Sequence, residues 1–249
     1  MDEIRTIIYF SRHLQEIFWF LLRAEALFYM ILQLENILTP EILQTINHQL
    51  EEAKFIDGKK TAGWHAVKVK NNEQLSNQFS EIRNLEKIIY QALNENIVFQ
   101  MATIPKKIHS LRFSRYSQGM GYGSHVDDAL MKEGRTDISF TIFLNSPQEY
   151  EGGELILEEV NEERSFKLST GTIIFYPSYS LHRVETVTKG VRKVVVGWIE
   201  SWIRDVQKRE ILFDLDTVRR SIFHKQGKTA EFDLLSKSYS NLLRFFADS

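Results

Sequence analysis

The alternation of apolar and polar positions changes period twice along the chain. From Ile7 to Leu34 apolar and aromatic residues crowd together, interrupted by Arg12, Glu16, Arg23 and Glu25. Thr39-Pro40-Glu41 then reads as a helix start, with Thr39 as N-cap and Pro40 at the first helical position. Ile42, Leu43, Ile46 and Leu50 follow at helix spacing, and this helix fades near Phe55–Gly58. A second helical stretch is predicted over residues 73–101, carrying Leu75, Phe79, Ile82, Leu85, Ile88, Ile89 and Leu93, and Pro105 closes it. Beyond Pro105 the period drops to two. Ile138, Phe140, Ile142 and Leu144 alternate with Asp137, Ser139 and Thr141, and shorter alternations recur around Leu111–Phe113, Leu155–Leu157, Phe166–Leu168, Thr172–Tyr176 and Val191–Ile199. Turn residues separate these runs, which predicts a sandwich or barrel-like β core of about 100 residues. From Asp205 the helix period returns and lasts to the end of the chain.

This order of helices, strands and helices argues for an α+β fold rather than alternating βαβ units. It divides the chain into an apolar N-terminal extension (1–29), a helical N-terminal region (30–106), a β domain (107–203) and a C-terminal helical region (204–249). Charges cut the apolar N-terminal stretch into pieces shorter than the ~20 residues that a membrane span needs. The order of a basic segment, an apolar block and a small-residue cleavage site, expected of a secretory signal, is absent. Two readings of this stretch stay open: a buried amphipathic helix, or a natural start of synthesis at Met30.

Composition narrows the chemistry. The 249 residues are 43% hydrophobic, enough for a sizeable core, and the 31 basic and 33 acidic residues nearly cancel. That balance gives no support to a nucleic-acid footprint. The absence of cysteine excludes disulfides, thiolate metal sites and cysteine nucleophiles, and it fits a cytoplasmic protein. The acidic run 149–163 reads as a solvated strand-and-turn edge.

Of the seven histidines, His13, His48 and His224 lie in helical stretches and read as surface or packing residues, while His65 and His109 have no partner by spacing. His125 differs. It sits two residues before Asp127, and in extended chain such a pair projects to one side. A second histidine near a later strand would complete a facial triad of two histidines and a carboxylate, the set that suits non-heme Fe(II) and leaves coordination positions open. His182, after the turn Pro177–Ser180, is the natural candidate. Arg192 lies ten residues further on, among valines. An arginine on an inward apolar face needs an anion, because an unpaired buried charge costs several kcal/mol, roughly. Either an internal ion pair or a ligand carboxylate would answer that need. Tyr116 and Tyr122 could add hydrogen bonds or could simply pack.

The stretches RYSQGMGYGSHVDDAL (115–130), RTDISFTIFLN (135–145), EYEGGELIL (149–157), GTIIFYPSYSLHRVETVTKGVR (171–192) and WIESWIRD (198–205) resemble the PKHD-type hydroxylases, which are prolyl-4-hydroxylase-like Fe(II)/2-oxoglutarate oxygenases. The likeness extends over 30–72 and the tail REILFDLDTVRRSI. It implies a double-stranded β-helix (jelly-roll-like) core, with His125, Asp127 and His182 as catalytic iron ligands. It implies Arg192 as the partner of the distal carboxylate of 2-oxoglutarate and Tyr116 as a hydrogen-bonding residue for that co-substrate. It also implies L-ascorbate as the reductant that maintains Fe(2+).

The expected reaction is hydroxylation of an unidentified substrate, with 2-oxoglutarate and O2 converted to succinate and CO2. Asp128 is expected to point away from Asp127, as a turn residue. Two rival readings use the same residues: a non-catalytic ligand-binding barrel, and a metal-dependent hydrolase, for which no clear general base is evident. The apolar positions of the last helix (Leu234, Leu235, Tyr239, Leu242, Leu243, Phe246) could serve a homodimer. If synthesis starts at Met30, mass spectrometry of protein from its own host finds no residue before Met30; a native terminus at Met1 or Asp2 overturns that reading.

Overall fold

A computed structural model describes residues 31–61 and 63–247. The readings of residues 1–29, including the late start, lie outside the described residues. At the end of the apolar stretch, Leu32–Leu34 is a strand, not part of a helix.

The first helix, α1 (Pro40–Glu51), starts as anticipated: the Thr39 hydroxyl accepts from the Ile42 amide at 3.4 Å and Pro40 opens the helix. The next segment departs from expectation. Phe55–Asp57 is a strand, and the stretch expected to be helical over 73–101 contains a strand (Glu73–Leu75) followed by two helices, α2 (Ile82–Glu95) and α3 (Ile97–Thr103). The apolar spacing of Leu75, Phe79 and Ile82 imitates a helix, but backbone pairing of Glu73 and Gln74 with a neighbouring strand overrides it. Asn96 splits the helical part, because its side chain accepts from the Phe99 amide at 2.9 Å and restarts the helix.

In chain order the strands are β1 (Leu32–Leu34), β2 (Phe55–Asp57), β3 (Lys70–Asn71), β4 (Glu73–Leu75), β5 (Pro105–Ser117), β6 (Gly121–His125), β7 (Leu130–Met131), β8 (Gly134–Arg135), β9 (Ile138–Phe143), β10 (Tyr150–Glu151), β11 (Leu155–Glu158), β12 (Glu163–Phe166), β13 (Ile173–Pro177), β14 (Leu181–Val184) and β15 (Lys189–Ser201). They form a major antiparallel sheet in the order β1-β13-β9-β15-β5-β4-β2, with β10 paired to β15, and a minor sheet in the order β12-β11-β14-β6-β3. The N-terminal region is therefore mixed: β1 before α1, and β2, β3 and β4 between α1 and α2, extend the two sheets.

Alternation along the major sheet gives it two apolar faces. Phe113, Phe140, Ile142, Phe175 and Val195 form one core with Ile46, Leu85, Ile89 and Phe99 of α1, α2 and α3. Phe99 meets Phe140 and Phe175 edge to face, with ring centres 6.5 and 5.7 Å apart. The other face, with Tyr116, Phe143, Ile174 and Val194, packs against Leu155, Leu157 and Val184 of the minor sheet. The C-terminal helices α4 (Val206–Gln226) and α5 (Ala230–Phe246) pack together, α4 opening on an Asp205 cap. Among the described residues no helix is long and apolar enough to cross a membrane.

Gly197 marks a tight point where the major sheet meets its core. A Cβ there would lie 2.5 Å from Phe140 Cζ and 2.7 Å from Leu111 Cδ2, both in the packed core. Gly197→Ala is expected to destabilise the fold by about 1–3 kcal/mol through overpacking, read as a lower urea midpoint with an unchanged slope.

Candidate metal centre and co-substrate pocket

The two sheets meet around a cavity, and the triad anticipated from spacing converges on it. His125 ends β6, His182 is the second residue of β14, and the two are directly paired across the minor sheet. Their ring centres lie 4.3 Å apart. Asp127 follows β6. One nitrogen or oxygen from each of His125, Asp127 and His182 falls within 4.8 Å of the others.

Backbone carbonyls decide which imidazole nitrogen faces the cavity. Nδ1 of His125 lies 2.9 Å from the Gly123 carbonyl, and Nδ1 of His182 lies 2.9 Å from the Ser180 carbonyl. A carbonyl only accepts, so each Nδ1 carries a proton, and Nε2 is the nitrogen turned to the cavity that can offer a lone pair to a cation. Those Nε2 atoms sit 3.8 and 3.9 Å from the Asp127 carboxylate oxygens. Burial, followed by the neighbouring His182, lowers the His125 pKa to about 4, so this ring is neutral at ordinary pH. Three lone-pair ends thus face one small volume with no donor among them. This donor set fits a divalent cation, and two imidazoles with one carboxylate suit Fe(II).

Asp127 is held from the opposite sheet. Ser139 of β9 donates to its Oδ2 at 2.5 Å and Trp198 of β15 donates to the same atom at 2.9 Å. With Oδ2 engaged twice, Oδ1 is the oxygen left free. Ser178 supports Ser139, the two hydroxyls being 2.8 Å apart. Neither Trp198 nor Ser139 stands out from the local spacing of the sequence. Nor does Tyr176, whose ring meets His182 edge-on at 5.2 Å. Tyr122 stacks on His125 at 3.6 Å, nearly parallel.

Arg192 enters the same cavity from β15 and is 1% exposed. The internal ion pair that was open as its explanation is absent among the described residues, and its Nε and Nη1 are buried without any hydrogen-bond partner. Tyr116 pairs with it across β5 and β15, and the guanidinium lies 5.1 Å from that ring centre. Burial raises the Tyr116 phenol, keeping it a neutral hydroxyl. The GGEL turn makes room: Gly152 and Gly153 both adopt positive φ, and a Cβ on Gly153 would press to 3.1 Å from Arg192 Cδ. Two orphaned guanidinium nitrogens beside a neutral hydroxyl fit a ligand carboxylate.

The other described histidines behave as packing or surface residues. His109 is fully buried, with contacts to the Ser110 hydroxyl and the Arg135 carbonyl. His65 stands beside Trp64, and His48 and His224 are exposed. Asp128 borders the cavity and packs over Gly63, apart from the cluster of ligand atoms.

Residues 111–200 match the 2OG-Fe(II) oxygenase superfamily, and residues 207–248 match the PKHD-type hydroxylase C-terminal domain. A PKHD-type hydroxylase of Picosynechococcus is 56% identical over 219 residues, covering 88% of this chain and 100% of the relative. One from Acaryochloris marina is 52% identical over 219 residues with the same coverage.

This chain belongs to the PKHD-type hydroxylase family.

Among solved structures, a Trichoplax adhaerens prolyl hydroxylase in complex with a hypoxia inducible factor peptide fragment aligns with TM-score 0.53 at 15% identity, covering 73% of this chain and 86% of that one. An α-ketoglutarate-dependent carbocyclase from nogalamycin biosynthesis aligns with TM-score 0.50 at 11% identity, covering 70% and 80%. At such identities the likeness shows the fold alone, and that fold is the double-stranded β-helix. The PKHD-type assignment and the α+β architecture expected from the residues therefore stand.

The hold on Asp127 generates an expectation for this hydroxylase. Trp198→Phe keeps the ring and removes the donor, and Ser139→Ala removes the other. Each should weaken Mn(II) or Fe(II) binding about 10–100-fold, measured by anaerobic titration.

Proposed function

We propose that this protein is an Fe(II)- and 2-oxoglutarate-dependent dioxygenase in which His125, Asp127 and His182 hold the metal and Arg192 and Tyr116 hold the distal carboxylate of 2-oxoglutarate. The observation that carries the reading is the pairing, in one cavity, of a buried two-histidine, one-aspartate triad with a buried guanidinium that has no ion pair among the described residues. When bound, Fe(II) with 2-oxoglutarate and O2 supplies the oxidation: the keto acid leaves as succinate and CO2, and one oxygen atom enters a C–H bond of the substrate.

The chain's own residues do the positioning. Both imidazoles are oriented by backbone carbonyls at Nδ1 so that Nε2 faces the cavity, and Asp127 offers one oxygen because the other is bound by Ser139 and Trp198. Arg192 fixes the length of acid that reaches both itself and the metal, and this favours a five-carbon diacid. Tyr116 and Phe143 flank the guanidinium and keep water from it. No residue is needed as a general base, and this separates the reading from a hydrolase on the same triad. L-ascorbate serves as the reductant that restores Fe(II), and the cytoplasm, with its reducing conditions, suits a cysteine-free iron enzyme. The side chains of Leu234 and Phe245 on α5 are 64% and 83% exposed, which supports a homodimer through that helix.

Asp127→Ala is expected to abolish both metal binding and substrate-independent succinate formation; retained wild-type turnover would remove Asp127 from the metal centre. Arg192→Ala should keep metal affinity and raise the 2-oxoglutarate KM by roughly 10–100-fold, the equivalent of a charge-assisted contact of about 1.5–3 kcal/mol. An unchanged KM would count against the clamp.

A further inference from the structure

Arg192 is not the only cation turned into the cavity. Lys70 stands on β3 at the edge of the minor sheet, directly paired with Tyr122, and is 7% exposed. Its Nζ donates to the Thr61 hydroxyl at 3.1 Å and lies 5.1 Å from the Tyr122 ring centre. Thr61 in turn donates to Gln74 at 2.6 Å, so the hydroxyl is fixed as an acceptor for Lys70. An ammonium carries three donors, and among the described residues this one has a single neutral acceptor and no ion pair. Arg112 on β5 lines the same cavity. Its guanidinium bonds the adjacent Leu111 carbonyl at 3.1 Å and also has no ion pair among the described residues.

A buried lysine and a half-buried arginine thus border one cavity with no ion pair among the described residues, Glu86 acting on Arg112 only from a distance, and an arriving anion would relieve them. Burial, with the Arg112 charge next, lowers the Lys70 pKa to about 8, which leaves it mostly charged at neutral pH. Two carboxylates act on Lys70 from a distance. Asp127 belongs to the triad, and Asp57 accepts from the Lys59 amide at 2.9 Å. Neither closes on the ammonium.

We infer that Lys70 and Arg112 form a second anion position in the cavity, which binds a carboxylate of the molecule being hydroxylated. The inference rests on the iron and 2-oxoglutarate reading above, in which Arg192 is taken by the co-substrate. It assigns the primary substrate to carboxylate-bearing compounds rather than neutral ones. Glutamine, serine and threonine groups around the cations (Gln74, Ser114, Thr61) complete a polar wall suited to such a group.

The test uses the full chain loaded with Mn(II), saturated with 2-oxoglutarate, and acetate as the probe anion. Paramagnetic relaxation of the acetate methyl protons reports its proximity to the metal. The expected result is saturable acetate relaxation with 2-oxoglutarate bound, and an acetate dissociation constant about tenfold or more higher in Lys70→Met. Arg112→Gln is the second variant, expected to act in the same direction, so the test survives if one variant does not fold. Mn(II) and 2-oxoglutarate affinities should be unchanged in both. Three results overturn the inference: no saturable acetate effect in the wild type, an effect that 2-oxoglutarate abolishes, or an effect that neither variant weakens. A rise in the 2-oxoglutarate KM of Lys70→Met would assign the position to the co-substrate and would also overturn it. Wild-type protein that binds no Mn(II), read from water-proton relaxation, would instead strike the metal-centre reading and this one with it.

Discussion

Lone pairs aimed at a common point repel one another, and a fold that gathers three of them must restrain each against turning away. In this hydroxylase the restraint on Asp127 matters most. The histidines sit on neighbouring strands of the minor sheet, where backbone pairing already places them side by side. Asp127 follows the end of such a strand and has no ladder to fix it. Its hydrogen bonds from Ser139 and Trp198 reach across the cavity to the major sheet. The carboxylate therefore acts as a polar staple between the two sheets, and the geometry of the triad depends on how they are spaced.

The same two-sided construction explains why the active cavity can be polar inside a largely apolar protein. The helices α1, α2 and α3 cover one face of the major sheet and bury Phe, Ile and Leu there. The opposite face is then free to carry Ser139, Thr141, Ser114 and Arg192 among its apolar residues, because the stability of the sheet is secured from behind. Charged and hydroxyl groups on the inner face are tolerated only where partners answer them. Asp127 has such partners, whereas Nε and Nη1 of Arg192 have none among the described residues.

Much of this was readable from local pattern. The period-two runs located the long strands, and the spacing of His125, Asp127, His182 and Arg192 placed four side chains that do share one cavity. What stayed hidden has physical causes. Strands of two or three residues, such as β2, β3 and β4, are too short to show a period, and their identity comes from pairing with distant strands. Lys70 was consequently concealed within a region that read as helical. Ser139 and Trp198 lie 12 and 71 residues from the carboxylate they hold, a relation no local spacing encodes. The break at Asn96 was visible in principle, since asparagine is a good cap, but the continuous apolar periodicity outweighed it.

The long pairing of β5 with β15 has an evolutionary consequence. One ladder sets Tyr116 opposite Arg192 near one end, and the same strand carries Trp198 toward the other. Losing or gaining a single residue between them would rotate one group of side chains out of the interior while leaving the other in place. The bulge already present between Val196 and Trp198 is part of that spacing, so the ladder acts as a ruler whose divisions tolerate a change of chemistry better than a change of number.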